Sequence, residues 1–118
     1  MDPLYHSKSS VNKWGGKVDD YLPIHHWFDD TKVGFAYPAH RAMRHHSEGI
    51  GWCIEKFGKT IVLSSGKELP VRYVCEQHIV EDCGWIPTMK DWLKHLKPEP
   101  WMLKVGSKTV AESQARMK

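Results

Sequence analysis

The sequence predicts a mainly α-helical fold, a compact bundle of about four helices with one β-hairpin. Two patterns support this prediction. Apolar residues recur at steps of three and four along three long stretches, which is the spacing of one helix face. Between residues 59 and 74 the period changes, and two β-branched runs flank a Ser-Ser-Gly-Lys turn that favours a hairpin. We assign residues 1–103 to a single domain, which is long enough to bury a core.

Two helices are predicted before the longest one. A short helix over residues 7–14 should end at the Gly15-Gly16 pair, because adjacent glycines interrupt helices. Asp19 or Asp20 can then cap a helix that runs to about residue 32. The apolar face of this second helix carries Tyr21, Ile24, Trp27 and Phe28.

The longest helix is predicted over residues 38–57, with Pro38 at its start and Gly58 just after its end. Its apolar stripe turns His46 toward the core, in a row that reads Ala39, Met43, His46, Ile50, Cys53 and Phe57. Gly49 and Gly51 each cost up to about 1 kcal/mol inside a helix. We therefore expect another helix or a ligand to approach closely there.

The remaining elements follow the hairpin. A third major helix is predicted from about residue 74 to residue 83. Thr88 followed by Asp91 predicts the start of a fourth helix, whose buried side chains should be Met89, Trp92, Leu93 and Leu96. Residues 104–118 are polar and lack periodicity, so we expect them to form a flexible tail.

Composition excludes several classes of function. The formal net charge is +3, and the lysines and arginines are too scattered for the basic footprint of a nucleic-acid-binding protein. No apolar run approaches the ~20 residues that span a bilayer. Cys53, Cys75 and Cys83 are odd in number and lack C-x-x-C spacing, which favours reduced thiols in a cytosolic protein. We expect the chain to be a monomer.

Eight histidines in 118 residues are the strongest functional signal, because several of them interrupt apolar stretches. A neutral imidazole is the commonest protein ligand for metals. We therefore predict a zinc site whose candidate ligands come from separate helices and from the N-terminal segment: His6, His25, His45, His46, His78 and Asp82. Asp82 lies four residues after His78 and shares its helix face, so it is either a ligand or an acceptor that orients a ligating ring.

Alternatives remain open for individual histidines. His45 and His46 are exchangeable as ligands through a small rotation of the predicted helix, whereas His40 should face elsewhere at 100° per residue. We interpret His26 and His95 as surface or flank residues. Each ring taken alone is also compatible with an ordinary hydrogen-bonded histidine, in which case the chain is a metal-free interaction domain.

Several segments resemble a known family. They are His6-Ser-Lys-Ser-Ser, Asp20-Tyr-Leu-Pro-Ile-His25, His40-Arg-Ala-Met-Arg-His-His46, Glu76-Gln-His78 and Pro98-Glu-Pro-Trp-Met102. Over about residues 5–102 they are similar to an uncharacterised family of small proteins from bacteria and their phages. The resemblance implies a compact helical protein in a phage-like setting and brings no established activity. Its motif histidines would be His6, His25, His40, His45, His46 and His78.

The chain also resembles, in size and expected metal rather than in a separate motif, a zinc-containing phage inhibitor of Cas9, an anti-CRISPR protein. This resemblance implies a non-enzymatic inhibitor in the host bacterial cytoplasm, where structural zinc stiffens a scaffold that binds the CRISPR nuclease. The alternative prediction is a metal-dependent hydrolase with Glu48 or Glu81 as general base. Its ion would be held by His25, by His45 or His46, by His78 and by Asp82.

Overall fold

Helices dominate the computed structural model, which describes residues 1–104 and 109–117. Within these residues the predicted mainly helical class with one hairpin is confirmed. The elements in chain order are α1 Pro3–Trp14, α2 Val18–Asp29, α3 Ala39–Arg44, α4 Ser47–Phe57, β1 Thr60–Val62, β2 Glu68–Pro70, α5 Val71–Cys83, α6 Met89–Leu93, α7 Pro100–Leu103 and α8 Val110–Met117. Four of these helices have 11 to 13 residues, and α3, α6, α7 and α8 are shorter, so the prediction of about four helices is confirmed only in part.

Helix α1 begins earlier than the sequence predicted. Pro3 occupies its first turn, and the Asp2 carboxylate accepts a hydrogen bond from the Tyr5 backbone N–H at 3.0 Å. Proline and an N-terminal aspartate are both favourable there, because the first N–H groups of a helix lack intrahelical partners. The earlier start places His6 on a helix rather than on an irregular segment. Gly15, with φ +83°, ends α1 at the predicted glycine pair.

The prediction that Asp19 or Asp20 is the N-cap of α2 is wrong, since Lys17 has that position, but Asp20 still holds the first turn of the helix. The Asp20 carboxylate accepts hydrogen bonds from the Lys17 backbone N–H at 2.7 Å and from the Ser64 backbone N–H at 3.0 Å. This one side chain therefore caps α2 and ties it to the hairpin turn. Helix α2 ends at Asp29, and a single 3-10 turn, Asp30–Val33, completes the predicted stretch.

The prediction of one helix over residues 38–57 is wrong, because the chain breaks between α3 and α4. His46 has extended backbone angles, and its Nδ1 accepts a hydrogen bond from the Gly49 backbone N–H at 2.9 Å. His46 is thus the N-cap of α4 rather than a core residue of a longer helix. A side chain at Gly49 would overlap the Arg44 carbonyl group. The close approach that we expected at Gly49 is confirmed, and it comes from the end of α3.

The hairpin is confirmed between residues 59 and 74, with three-residue strands. β1 and β2 pair antiparallel with Ile61 opposite Leu69. Leu63 and Leu69 are buried, and α5 starts directly after β2 at Val71. Both leucines therefore extend the interior of the helical body, and the hairpin closes one end of it.

The C-terminal segments differ from the prediction in burial. Thr88 caps α6, where its Oγ1 accepts from the Asp91 backbone N–H at 3.2 Å, as expected. Leu93 and Leu96 were expected to be buried, but they are 54% and 56% exposed because α6 ends after one turn and a half. The expected flexible tail at 104–118 includes residues 105–108 and 118, which lie outside the described residues.

The apolar core lies between α2, α4, α5 and the hairpin. It consists of Tyr21, Ile24, Phe28, Ile50, Cys53, Leu63, Leu69, Val71, Val74, Cys75 and Ile79. Cys53, Cys75 and Cys83 are free thiols, as predicted. No helix within residues 1–104 and 109–117 combines the length and apolarity needed to cross a bilayer.

Candidate metal centre

Beside the apolar core lies a second buried region made of polar side chains. We call it the His–Asp cluster, and its members are His6, His25, Asp29, His40, His45, His78 and Asp82. The five rings are at most 1% exposed, and the Asp29 and Asp82 side chains are 4% and 1% exposed. Helices α1, α2, α3 and α5 and the break before α4 each contribute members, so distant stretches of sequence meet here.

Four donor atoms form the centre of the His–Asp cluster. The His45 Nε2 lies 2.9 Å from Asp82 Oδ2 and 3.1 Å from His78 Nε2. The distance from His78 Nε2 to Asp82 Oδ2 is 3.2 Å. Asp29 Oδ1 lies 3.4 Å from both ring nitrogens. Two imidazole nitrogens and two carboxylate oxygens thus converge on one small volume.

These distances match the edges of a metal coordination polyhedron. With ligand atoms at ~2.0–2.1 Å from zinc, neighbouring ligands in a tetrahedron lie about 3.3–3.4 Å apart, and in an octahedron about 2.9–3.0 Å. The five measured separations run from 2.9 to 3.4 Å. The donor set therefore fits a divalent ion with little rearrangement of the side chains.

The tautomer of His78 follows from the hydrogen bonds behind it. Gln77 donates its amide hydrogens to the His6 carbonyl group and to Glu81, so its Oε1 accepts from the Ser10 hydroxyl. Ser10 Oγ, having donated its only proton, must accept from His25 Nε2 at 2.8 Å. A neutral His25 then has a lone pair on Nδ1.

His25 Nδ1 lies 2.9 Å from His78 Nδ1, so His78 donates its proton there. Burial, with His78 and His6 nearby, lowers the pKa of His25 to about 2, which keeps His25 neutral. A neutral His78 consequently presents the Nε2 lone pair to Asp29, Asp82 and His45. His25 thus acts as the partner that orients a ligand, as the other ring nitrogen of a metal-bound histidine usually requires.

His6 is oriented in the same way by a carboxylate. Its Nδ1 donates to Glu81 Oε1 at 2.8 Å, and Glu81 also accepts from Ser9 and Gln77. The His6 Nε2 is left facing Asp82 Oδ1 at 3.1 Å. A carboxylate on one nitrogen of the ring and a lone pair on the other is the usual environment of a ligating histidine.

The two buried carboxylates are ionised. Burial raises the pKa of Asp82, but its contacts with the rings of His45, His6 and His78 outweigh burial and hold that pKa well below its ordinary value. The pKa of Asp29 is likewise lowered, because its contacts with the rings of His45 and His78 exceed the effect of burial. The Met1 ammonium group at 3.2 Å and Arg41 Nη2 at 3.8 Å already face Asp82 Oδ1. Among the described residues Asp29 has only the rings of His40, His45 and His78 within 4 Å, so its charge needs a protonated ring or a metal ion.

Several buried donors and acceptors have no partner among the described residues. They are Asp29 Oδ2, His40 Nδ1, His45 Nδ1 and Arg41 Nε. Arg41 itself reaches the Asp82 carbonyl oxygen at 3.1 Å through Nη1. Buried polar atoms are almost always paired in native proteins. Three of these four atoms belong to the His–Asp cluster, so the cluster lacks partners for some of its polar atoms.

A family model for a domain of unknown function, DUF6915, matches residues 1–102 of the chain. The chain belongs to the DUF6915 family. No curated protein and no solved structure matched it. The match confirms the predicted membership of an uncharacterised family, while phage origin and anti-CRISPR activity stay predictions.

In this DUF6915 chain the structure brings together five of the six side chains predicted as ligands: His6, His25, His45, His78 and Asp82. His46 lies apart from them. Its Nδ1 accepts from Gly49 N–H, and its Nε2 lies 3.2 Å from the Met43 carbonyl oxygen, to which it donates. Both ring nitrogens are thus engaged with backbone, and of the pair that sequence left open, His45 faces the cluster.

Sequence reasoning missed two members of the DUF6915 cluster. Asp29 lies four residues after His25, the same spacing that drew attention to Asp82 after His78, so the signal was present. His40 was assigned to another face by counting along a continuous helix. The break between α3 and α4 invalidates that count and turns His40 toward Asp29, with 3.7 Å between Nε2 and Oδ1.

An open cleft of about 370 Å³ borders the cluster at Asp82. Its other lining residues include Arg41, Lys94, Trp85 and Trp92. The Trp92 indole N–H donates to the His45 carbonyl oxygen at 2.9 Å, which connects the cleft wall to the break before α4. Arg41 and Lys94 lie 3.8 and 3.9 Å from the carboxylates of Asp82 and Asp91, which also line the cleft. The charges of the cleft are therefore matched, and its two indole rings suit a ligand with an aromatic group.

Of the two glutamates considered as general bases, only Glu81 contacts the cluster of the DUF6915 chain. Glu48 instead accepts from the Met89 backbone N–H at 2.9 Å and lies on the surface. Glu81 is engaged by His6, Ser9 and Gln77, so its hydrogen-bonding capacity is already used to orient His6.

Proposed function

We propose that this chain binds a divalent metal ion in the His–Asp cluster, with zinc as the first candidate. The ligands would be His6, His45, His78, Asp29 and Asp82. The observation that carries the proposal is the quartet of His45, His78, Asp29 and Asp82, whose donor atoms lie 2.9 to 3.4 Å apart. Imidazole and carboxylate donors together suit zinc, and also manganese and iron.

The hydrogen bonds behind the rings support a metal over a purely ionic network. His25 fixes His78 with its Nε2 lone pair inward, and Glu81 does the same for His6. Protonated rings would also balance Asp29 and Asp82, but they would leave Asp29 Oδ2 without a partner. An ion satisfies lone pairs on several sides at once.

We further propose that the ion serves hydrolysis of an anionic ester, with phosphoesters as the first class to test. Structural zinc sites normally close with four ligands, whereas this cluster offers more donors, including two carboxylates. Bound to such residues, a divalent ion supplies an activated water at neutral pH. The cleft borders Asp82, whose side chain is 1% exposed, and Arg41 and Lys94 in the wall of the cleft would orient the anion.

The hydrolytic proposal is tested with protein purified without metal-affinity resin and then loaded with zinc or manganese. We expect turnover of an aromatic phosphodiester such as bis(p-nitrophenyl) phosphate, abolished by a chelator and in Asp82→Asn. His26→Ala is the matched control, because His26 is an exposed histidine on the same helix as His25. Metal-loaded wild-type protein without turnover of phosphoesters, carboxylic esters or amides would rule the activity out.

A metal that only stabilises the scaffold is the second candidate, and one observation favours it. The ligand side chains are almost completely buried, as in closed structural sites. The chain would then act as the predicted non-enzymatic inhibitor of a host protein, the Cas9-type nuclease being the first partner to test. Stoichiometric inhibition of that nuclease by the zinc-loaded chain, retained when hydrolysis is absent, is the expected result; absence of both binding and inhibition contradicts it.

A further inference from the structure

We propose that the His–Asp cluster holds two divalent ions, with Asp29 bridging between them. The inference rests on the proposed metal site, and it assigns His45, which lies near both groups of ligands, to a second ion on the side of His40. One ion would be bound by His6, His78 and Asp82, and the other by His40 and His45. Counting along the predicted helix excluded His40 from the site, although the family resemblance included it among the motif histidines.

The grouping of donors supports two ions. His6, Asp29, His78 and Asp82 each offer one donor atom within 4.8 Å of the others, and so do Asp29, His40 and His45. Asp29 is common to both groups. A carboxylate has two oxygens and can therefore bind one ion through each, which is how ions about 3.5–4 Å apart are held in two-metal hydrolytic sites.

The two carboxylate oxygens of Asp29 have different surroundings. Oδ1 lies 3.4 Å from His45 Nε2 and from His78 Nε2, whereas Oδ2 has no partner among the described residues. Asp29 is 5% exposed, so solvent does not serve the second oxygen. His40, His45 and His78 all approach Oδ1, so a rotation of the carboxylate is needed to share its two oxygens between the ions, and an ion bound to Oδ2 would give that atom a partner.

The surroundings of His40 are an independent observation that supports the second ion. The ring is 1% exposed, Nδ1 has no partner within residues 1–104 and 109–117, and Nε2 lies 3.7 Å from Asp29 Oδ1. That distance is too long for a direct hydrogen bond. It exceeds the tetrahedral ligand separation of about 3.3–3.4 Å by only a few tenths of an ångström, so a small rotation of the His40 ring would bring both atoms onto one ion.

His45 completes the second group from the break between α3 and α4. Its ring meets the His40 ring edge to face, with 5.8 Å between centroids. Its Nε2 also lies 2.9 Å from Asp82 Oδ2. Asp82 therefore stands between His45 on one side and His6 on the other, close to both proposed ions and at the edge of the cleft.

Metal stoichiometry of the full chain tests the inference. The protein is stripped with a chelator, loaded with Mn²⁺ or Zn²⁺, dialysed and analysed for metal per chain. We expect about two equivalents in the wild type, about one in His40→Gln, and about two in His26→Gln, the exposed control. Circular dichroism confirms that His40→Gln is folded, and His40→Asn serves as the second variant if it is not.

The outcomes separate this inference from the metal site itself. About one equivalent in the wild type overturns the second ion and leaves the first, whereas no bound metal overturns both. Two equivalents retained in both His40 variants overturn the assignment of His40. Electron paramagnetic resonance of the Mn²⁺-loaded wild type supplies an independent measure. Magnetic coupling between the ions supports the pair, and a spectrum of isolated Mn²⁺ contradicts it.

Discussion

The apolar core and the His–Asp cluster are both buried, and the same helices build them. On α2, Ile24 and Phe28 enter the apolar core, while their sequence neighbours His25 and Asp29 enter the cluster. Phe28 forms the boundary, because its ring stacks on His78 with centroids 4.9 Å apart. The apolar core is complete with its own side chains, whereas the cluster leaves charges and lone pairs that a bound cation would satisfy.

This difference predicts that the two regions respond differently to metal. The apolar core should stabilise the protein equally with and without an ion, because its contribution comes from removing apolar surface from water. The cluster should contribute stability only in proportion to the ion available.

The largest effect is expected in the apolar core. Ile50, which is 2% exposed in the packing between α4 and its neighbours, loses most of its side chain in Ile50→Ala. We expect the free energy of unfolding to fall by about 2–5 kcal/mol. Urea denaturation with and without zinc should give the same decrease, and a decrease that depends on metal would contradict the separation of the two regions.

Removing the metal should affect the cluster next most strongly. An ion present at several hundred times its dissociation constant stabilises the folded state by roughly 3–4 kcal/mol through linkage. Chelation should therefore lower the melting temperature of the wild type and have much less effect on His78→Ala, which lacks a central ligand. Equal melting temperatures for the wild type before and after chelation would show that the cluster does not couple metal to folding.

Gly49→Ala tests the break that places His45. The added Cβ would overlap the Arg44 carbonyl group, which is backbone and cannot move without shifting α3. We expect a loss of about 1–3 kcal/mol together with weaker metal binding. Gly51→Ala is the matched control, since nothing lies within 4 Å of the position of its Cβ. It should leave metal affinity unchanged.

The smallest effect is expected far from the cluster, at Asp20. Backbone hydrogen bonds from Lys17 and Ser64 lower the pKa of Asp20 below its ordinary value. A lowered folded-state pKa means that the stabilisation is fully present above the unfolded pKa of about 3.9 and is lost as pH falls through the folded value. Asp20→Asn should cost about 1 kcal/mol at pH 7, with the difference shrinking below about pH 4.

Local signals in the sequence predicted much of the fold. The glycine pair after α1, the Asp20 cap, the hairpin and the Thr88–Asp91 cap each depend on a few adjacent residues. The end of α3 could not be found in this way. The apolar stripe that includes His46 has the same sequence pattern whether the chain forms one continuous helix or two helices joined at an N-cap. Which of the two forms depends on the contact between Gly49 and Arg44.

The convergence of His6, His25, His45, His78 and Asp82 was predictable, because imidazoles within apolar stretches must meet other polar groups. The distinction between ligands and their supporting partners was not. It depends on which nitrogen each hydrogen bond occupies, as the Gln77–Ser10–His25 chain shows for His78. The prediction included His46 in the site and placed His40 outside it because it treated residues 38–57 as one continuous helix.

The segment from Val33 to Ala39, exposed along its whole length, leads into the six-residue helix that carries His40. Segments with so few buried contacts open at low free-energy cost, far more often than the whole domain unfolds. We expect cations to enter and leave when residues 33–44, which comprise this exposed segment and α3, move away from α2 and α5. The rate at which bound metal is lost to a chelator would then equal the rate at which residues 33–44 open. Once the chelator is in excess, this rate would not depend on its concentration.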